Sequence, residues 1–240
     1  MDITEDEPID WASIPQRASH SWHQIPARAV NRWILAADLG QANDPTAICV
    51  MNHLVVPGEE WVPNKKNETW RQARTEHFRV YHLERLPLNL AYPVQVARIA
   101  AILARPPLNA GCEFAIDETG VGKAVGDIFD AAGLNPRRVT ITGGLEPTQH
   151  GGIHWHVPKG ALITNLEARM HTGELKIADT ITDSTALKDE LRDFQRKVSE
   201  AGRTTFNARS GAHDDLVLAV AIALWTATNR TSFTSEPLPF

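Results

Sequence analysis

Four aspartates are the residues of this sequence best placed for chemistry. Asp38 and Asp117 each end a short apolar run, WILAAD and EFAID, whereas Asp214 and Asp215 come directly before a long one, LVLAVAIALW. A cluster of carboxylates raises its own pKa values unless a cation neutralises it. Magnesium and manganese prefer oxygen ligands, and two such ions about 4 Å apart can activate a water and stabilise the leaving oxygen of a phosphodiester. We therefore expect all four aspartates to be catalytic and to bind Mg²⁺ or Mn²⁺, as two ions.

Each of these acids is also compatible with a purely structural role. Asp38 before Gly40 could close a turn, and Asp117 could cap the helix that follows it. One residue of the Asp214/Asp215 pair is expected to be a helix N-cap. Because adjacent helical residues point about 100° apart, the sequence leaves open which of the two is the metal ligand. What favours chemistry is the conjunction of three separate chain segments that all place acids beside apolar runs.

The elements that must position these acids alternate along the chain and predict an α/β fold. A strand–helix–strand order predicts parallel strands joined by a crossover, and ligands gather at the carboxyl ends of such strands. If the strands that end at Asp38 and Asp117 are neighbours, the two carboxylates meet. The predicted strands are Trp33–Asp38, Thr46–Met51, Glu76–Glu84, Glu113–Asp117, Arg138–Thr142 and Glu174–Ala178; the predicted helices are Val94–Ala104, Gly120–Ala132, Lys159–His171, Ala186–Glu200 and His213–Thr226.

Length and composition favour one large domain with tails. The chain has 240 residues, 42% of them hydrophobic, which is enough for one well-buried α/β core. Residues 1–30 are acidic, contain several prolines and show no period, so we expect an arm or linker there. We expect the main domain at residues 31–229 and a loose tail at 230–240. The polar segment between the second and third strands is too long for a tight hairpin, and we expect it to carry function.

The charge balance excludes a protein that holds nucleic acid by overall charge. The net charge is -5, so contacts to DNA must come from local basic patches or from bound cations. Candidates are Lys65 and Lys66 between two tryptophans, and Lys159 at a helix start, although solvated surface charge competes with each interpretation. The strand-to-helix junction after Asp117 could hold a phosphate on backbone amides, or serve only tight packing. Its residues are Gly120, Gly122 and Lys123.

Other classes of protein are disfavoured. The two cysteines lie in apolar runs, which suggests neither a disulfide framework nor a structural zinc site. His150, His154 and His156 invite a transition-metal interpretation, but their glycine-containing context favours a surface hairpin. His213 is compatible with a proton shuttle or with helix capping. Since no apolar run approaches the roughly 20 residues that cross a bilayer and no signal peptide is recognisable, we expect a cytoplasmic protein without membrane contact.

Several sequence blocks resemble the nuclease domain of tailed-phage large terminase subunits, a RuvC-like branch of the RNase H-like superfamily. The blocks are ILAADLGQANDPTAI, DETGVGKAVGDIFDAAGLNP, RRVTITGG, VPK and HDDLVLAVAIALW, within residues 33–228. The resemblance implies a central mixed sheet, three antiparallel strands and then parallel ones, flanked by helices. It also implies a metal-dependent endonuclease that hydrolyses DNA phosphodiester bonds, with metal-binding acids that match Asp38, Asp117 and the Asp214/Asp215 pair. Asp44 is similar to a common acid of the family, or else belongs to a turn.

One feature of the family is missing. A full large terminase carries an ATPase motor with a phosphate-binding loop, and the nearest string here, TGVGKAV, has Ala124 after the lysine and Asp117 in place of the first glycine. The partners that the resemblance implies are double-stranded DNA, a separate or missing motor and a portal protein. The alternatives are a Holliday-junction resolvase, a catalytically weak assembly module and a sugar-kinase-like ATPase. The last is disfavoured because DLGQANDP is poor in small residues.

Overall fold

Alternating strands and helices build this chain, whose computed structural model describes residues 22–40, 44–120, 123–198, 204–208 and 213–229. The strands are β1 (His23–Ile25), β2 (Val30–Asp38), β3 (Ala47–Asn64), β4 (Thr69–Arg85), β5 (Cys112–Asp117), β6 (Arg137–Thr142), β7 (Thr148–Gln149), β8 (His154–Pro158), β9 (Leu175–Ile177), β10 (Phe194–Val198) and β11 (Thr204–Ala208). The helices are α1 (Tyr92–Leu103), α2 (Lys123–Ala131), α3 (Lys159–His171), α4 (Ser184–Asp193) and α5 (Asp215–Thr228).

The main sheet is mixed, as the sequence predicted. Its order is β1-β4-β3-β2-β5-β6-β8-β7, with β9 also paired to β4. Strand β2 runs antiparallel to β3 and parallel to β5, and the pairs β5–β6 and β6–β8 are also parallel. Strands β10 and β11 form a separate antiparallel pair. The carboxyl ends of β2 and β5 therefore lie side by side in the middle of the sheet.

Both faces of the sheet are covered, because successive side chains of a strand point to opposite sides. Ile34 and Ala36 of β2 belong to the core that the sheet forms with α3, α4 and α5. Leu35 and Ala37 belong to the core on the other face, with α1 and α2. Strands that are buried on both faces have continuously apolar sequences, which is why WILAAD and EFAID were recognisable as strands.

Helix α5 is the central element of one core, and every residue from Asp215 to Ala227 is buried. Two arginines bind its carboxyl end: Arg32 donates to the carbonyl oxygen of Ala227, and Arg137 donates to that of Asn229 at 2.9 Å. Cations at this end also interact favourably with the helix dipole. The arginines thus help to anchor the helix whose other end carries Asp214 and Asp215.

The structure corrects three local predictions. Strands β3 and β4 have 18 and 17 residues and are joined by the turn at 65–68, so the polar segment expected to be too long for a tight hairpin forms the extended ends of these two strands and a short turn. The predicted helix 186–200 ends at Asp193, because the residues after it pair with β11. Gly120, where the predicted helix 120–132 was expected to begin, has a φ of 77°, outside the helical range, and the described helix α2 spans Lys123–Ala131.

The described residues fall into two compact units, of which the smaller contains residues 22–28 and 56–75. Within it, β1 pairs in parallel with the first residues of β4, and Trp22 contacts Trp70 with ring centroids 5.9 Å apart. The larger unit contains the remaining described residues and all of the acids discussed below. None of the described helices has the length and apolarity that a membrane crossing requires.

Candidate metal centre

Asp38 and Asp117 are paired residues on neighbouring parallel strands. They are the last residues of β2 and β5, and the register of the two strands places them directly opposite each other. They share the sheet face of Ile34, Ala36 and Ala115, which packs against α5. The structure therefore meets the condition under which the sequence predicted that these two carboxylates would come together.

Asp38 is the most strongly perturbed acid of the group. Burial raises its pKa well above the usual range, and the charge of Asp117 raises it further. The carboxylates of Asp215 and Asp214 act in the same direction. The ammonium group of Lys159 opposes them. A cluster with this balance gains stability from any bound cation that neutralises it.

Asp117 is held in a fixed orientation by the residue two positions later. The backbone N–H and the hydroxyl of Thr119 both donate to its Oδ1, at 2.8 and 2.5 Å. Burial raises the pKa of Asp117 to about 6, although these two hydrogen bonds lower it. The Thr119 hydroxyl in turn accepts from the N–H of Ile141 at 2.7 Å. Thr119 thus fixes the orientation of the Asp117 side chain locally.

Asp214 and Asp215 occupy different surroundings at the start of α5. Asp214 is the N-cap residue, but its side chain makes no capping hydrogen bond. Its Oδ2 instead accepts from Nζ of Lys159, at 2.7 Å. Asp215 is the first helical residue and is 5% exposed. Its Oδ2 is buried and accepts no hydrogen bond from the described part of the chain.

A second grouping of donor atoms adjoins these acids. Ligand atoms of Asp44, His213 and Asp215 all lie within 4.8 Å of one another, which within the described ranges is the one such group of three or more acidic, histidine or cysteine residues. Nδ1 of His213 is 3.6 Å from Oδ1 of Asp44 and 3.6 Å from Oδ2 of Asp215. Asp44, for which the sequence left a turn role open, is therefore placed beside the predicted site.

The loop that carries Asp44 is fixed by a buried polar cluster. The hydroxyl of Thr46 accepts from the N–H of Gly40 at 2.9 Å and lies 2.7 Å from Oε1 of Gln95. Nε2 of Gln95 donates to the carbonyl oxygens of Gly40 and Leu90, at 2.9 and 2.8 Å. A Cβ atom on Gly40 would lie 2.0 Å from the carbonyl oxygen of Asp44. The close approach of two backbone segments therefore requires glycine at this position.

Burial and electrostatics make Asp215 the residue most suited to a cation. Burial raises its pKa to about 6, and the charges of Asp44 and Asp214 raise it while His213 and Arg85 lower it. A buried carboxylate oxygen without a partner is costly, and a cation satisfies it. Carboxylate oxygens are the ligands that Mg²⁺ and Mn²⁺ take, and a single imidazole is compatible with Mn²⁺. The residues present therefore fit a divalent cation.

The other predicted contact residues are not all at this site. Lys159 lies at this site, because its Nζ donates to Oδ2 of Asp214. Gly120 is exposed and directly follows Thr119, whereas Gly122 lies outside the described residues, and Lys123 begins α2. Lys65 and Lys66 are exposed in the turn at 65–68 of the smaller unit.

The predicted surface hairpin at His150–His156 is present as β7 and β8. The His150 and His156 rings are 3.9 Å apart, and Nδ1 of His154 lies 3.2 Å from Oε1 of Glu118.

Three residues near the site were missed from the sequence. Thr119 orients Asp117, and a hydroxyl two residues after a strand-terminal aspartate is a recognisable local signal. Glu190 and Arg85 approach the first turn of α5 from distant parts of the chain. No spacing rule connects them with Asp215, so only the tertiary structure could reveal them.

Sheet order and helix packing define an α/β domain with a central mixed sheet and helices on both faces. Comparison with solved structures agrees. The chain is similar to the large terminase nuclease from thermophilic phage G20c, in a crystal structure with bound magnesium. The structural match covers 83% of each chain, with a TM-score of 0.55 and 22% sequence identity. The chain therefore has the fold of a large-terminase nuclease domain, and the mixed-sheet prediction is confirmed.

Curated relatives point to the same group of proteins. The large terminase subunit of Thermus virus P23-45 is 26% identical over 173 residues, which is 72% of this chain and 31% of that protein. The large terminase subunit of Thermus phage G20c is 30% identical over 130 residues, or 54% of this chain and 23% of that protein. The resemblance seen in the sequence blocks is thus confirmed. The matches span less than a third of the relatives' length, and no family model matches the chain.

Proposed function

We propose that this chain is a divalent-cation-dependent endodeoxyribonuclease that hydrolyses the phosphodiester bonds of double-stranded DNA during phage DNA packaging. The observation that carries the proposal is that Asp38 and Asp117 are paired in register, while Asp215, whose charge acts on Asp38, has a buried Oδ2 that accepts no hydrogen bond in the described structure. The similarity to large terminase subunits and to their nuclease fold supports the packaging context.

Two adjoining positions are available for cations in this proposal. Asp38 and Asp117 would hold one ion, whereas Asp44, His213 and Asp215 would hold the other; the charge of Asp215 also acts on Asp38. Mg²⁺ or Mn²⁺ so bound supplies Lewis-acid chemistry to a phosphodiester. Asp214 has a different role here: it anchors Lys159 at the edge of the cluster.

Residues of the chain itself would orient the catalytic acid and contact the DNA backbone. Thr119 keeps Oδ1 of Asp117 in place, so that the acid does not reorient when a substrate binds. The ammonium group of Lys159 is positioned among carboxylates and would face the negatively charged phosphate of the substrate. Contacts of this kind are to the DNA backbone, so we expect little base preference. Gly120, Gly122 and Lys123 at the junction after β5 and Lys65 and Lys66 in the hairpin turn are proposed as further backbone contacts.

The biological partners follow from the packaging role. Duplex DNA is the substrate, and the ATPase motor and the portal protein of the packaging machine are the protein partners that we propose, with the host bacterial cytoplasm as the place of action. The similarity to large terminase subunits motivates these proposals.

Cleavage of supercoiled plasmid by the purified chain tests the function. We expect nicking and linearisation with Mn²⁺ or Mg²⁺, none with a chelator, and none by the Asp117→Ala variant in any metal. Circular dichroism of that variant establishes that it is folded. If the wild-type chain does not cut DNA with either Mn²⁺ or Mg²⁺, the nuclease proposal is wrong. A non-catalytic role in assembly of the packaging machine then becomes the better hypothesis.

A further inference from the structure

The first turn of α5 lacks the usual cap. The first N–H groups of a helix have no partner within the helix and need an outside acceptor. Asp214 stands at the N-cap position, where an aspartate side chain commonly accepts such a bond. Here its carboxylate is bound to Lys159 and makes no capping hydrogen bond. The acceptor must therefore come from elsewhere if the helix start is to be fixed.

Glu190 of α4 supplies that acceptor from a distance of 27 residues along the chain. Its Oε2 accepts the backbone N–H of Val217, the third residue of α5, at 3.0 Å. Glu190 is 7% exposed, so it is a buried carboxylate and requires partners for both oxygens. The bond to Val217 satisfies one oxygen and also places negative charge at the positive end of the helix dipole.

The other oxygen of Glu190 is bound by Arg85. Oε1 pairs with Nη2 of this arginine, the last residue of β4. The backbone N–H of Arg85 donates to Oδ2 of Asp183 at 2.8 Å, just before α4 begins. One buried carboxylate therefore ties together β4, α4 and the first turn of α5. Arg85 also brings a positive charge close enough to Asp215 to lower the pKa of that acid.

We propose that Glu190 is a positioning residue for the metal centre: by accepting the Val217 N–H while paired with Arg85, it fixes the turn of α5 that presents Asp215. This inference rests on the proposed nuclease function. Glu190 itself touches no metal ligand in the described structure other than through the helix backbone. Its effect on chemistry is therefore transmitted by the orientation of Asp215, two residues before Val217.

The test measures Mn²⁺ binding by titration calorimetry and plasmid cleavage as a function of Mn²⁺ concentration. Loss of a group that fixes the orientation of a metal ligand commonly weakens binding 10-fold or more, and Glu190 fixes the turn that presents Asp215, so we expect Glu190→Ala to raise the half-saturating Mn²⁺ concentration about 10-fold. Glu190→Gln keeps an acceptor for Val217 and should retain most of the Mn²⁺ affinity. Glu190→Asp keeps the charge but is one methylene shorter and cannot reach Val217, so it should also raise the half-saturating Mn²⁺ concentration; it replaces the alanine variant in the test if that variant does not fold.

Ile99→Val is the matched control, because it weakens the core on the opposite face of the sheet without touching α5. It should lower the melting temperature and leave the half-saturating Mn²⁺ concentration unchanged. If the Glu190 variants behave like this control, Glu190 is only structural and the positioning role is refuted. If the glutamine variant binds as weakly as the alanine variant, the ion pair and not the Val217 bond carries the effect, and the proposal is again refuted. A wild-type chain that neither binds Mn²⁺ nor cuts DNA overturns the proposed function itself.

Discussion

Lys159 and Asp214 form an ion pair in which Nζ lies 2.7 Å from Oδ2, and this contact separates two adjacent aspartates by role. The carboxylate of Asp214 is satisfied by the lysine. That of Asp215 is buried, and its Oδ2 accepts no hydrogen bond from any described residue. Sequence alone could not assign the metal ligand within this pair, whereas the surroundings in the folded protein favour Asp215.

Substitution of each aspartate by asparagine should therefore have unequal effects. We expect Asp215→Asn to abolish both Mn²⁺ binding and cleavage, because it removes the charge of a buried carboxylate whose Oδ2 accepts no hydrogen bond in the described structure. Asp214→Asn should retain Mn²⁺ binding and lose only part of the cleavage rate. Thermal unfolding reports the binding: Mn²⁺ at about 100 times its dissociation constant stabilises the folded state by about 2.7 kcal/mol. Equal losses in the two variants would contradict this assignment.

Removal of Lys159 should affect binding and rate in opposite directions. The ammonium group lowers the pKa values of Asp38 and Asp117, so it is close enough to repel a cation held there. We expect Lys159→Gln to tighten Mn²⁺ binding, since one charge at about 4 Å contributes on the order of 1 kcal/mol even in a water-like medium. The same variant should cut more slowly, because it loses the cation proposed to face the phosphate. Calorimetry and single-turnover cleavage check the two parts separately, and weaker Mn²⁺ binding would refute the argument.

The metal-free protein should become less stable as the pH rises through the range of its site carboxyls. Asp117 has a pKa of about 6 in the folded state, above its unfolded value, so its stabilising effect is complete below about pH 4 and is lost as the pH rises through 6. Asp117→Asn keeps an acceptor for Thr119 and cannot ionise. We expect it to be more stable than the wild type by about 1–2 kcal/mol at pH 8 and about equal at pH 4. Urea unfolding in a chelating buffer measures the difference.

Asp179 provides a control, because its pKa is shifted in the direction opposite to that of Asp117. It is an exposed carboxylate whose pKa is lowered by a hydrogen bond from Lys188, so its ionised form favours the folded state. Asp179→Asn should therefore not stabilise the protein at pH 8. A general effect of removing negative charge would stabilise both variants alike, and that result would argue against the specific role of burial at Asp117.

The predictable part of the fold is the part with a strong apolar pattern. The runs that end at Asp38 and Asp117 are mostly buried and the run after Asp215 is almost entirely buried, and such apolar sequences indicate strands or helices without reference to the rest of the chain. The long hairpin of β3 and β4 was missed because residues 56–62 are mostly exposed and show no alternation. There the strand conformation arises from pairing between chain segments and not from burial.

The site shows the same division. From the sequence we predicted that Asp38 and Asp117 would meet if the strands they end were neighbours. Strands β2 and β5 are neighbours, and their register places the two residues opposite each other. The Glu190 contact with Val217 was not predictable, because in sequence Glu190 is one more acid on a charged helix. Long-range polar contacts of this kind depend on the angle at which helices cross, which the apolar pattern does not specify.

Gly40→Ala should damage the site through the backbone alone. The added Cβ would lie 2.0 Å from the carbonyl oxygen of Asp44 and 2.8 Å from that of Pro45, so the loop must move. We expect a loss of stability of about 3 kcal/mol and weaker Mn²⁺ binding, because Asp44 moves relative to His213 and Asp215. Gly143→Ala is the matched control, since its Cβ would meet no described atom within 4 Å. Chemical denaturation and Mn²⁺ titration of both variants measure the two effects. If Gly40→Ala binds Mn²⁺ as the wild type does, Asp44 is not part of the metal centre.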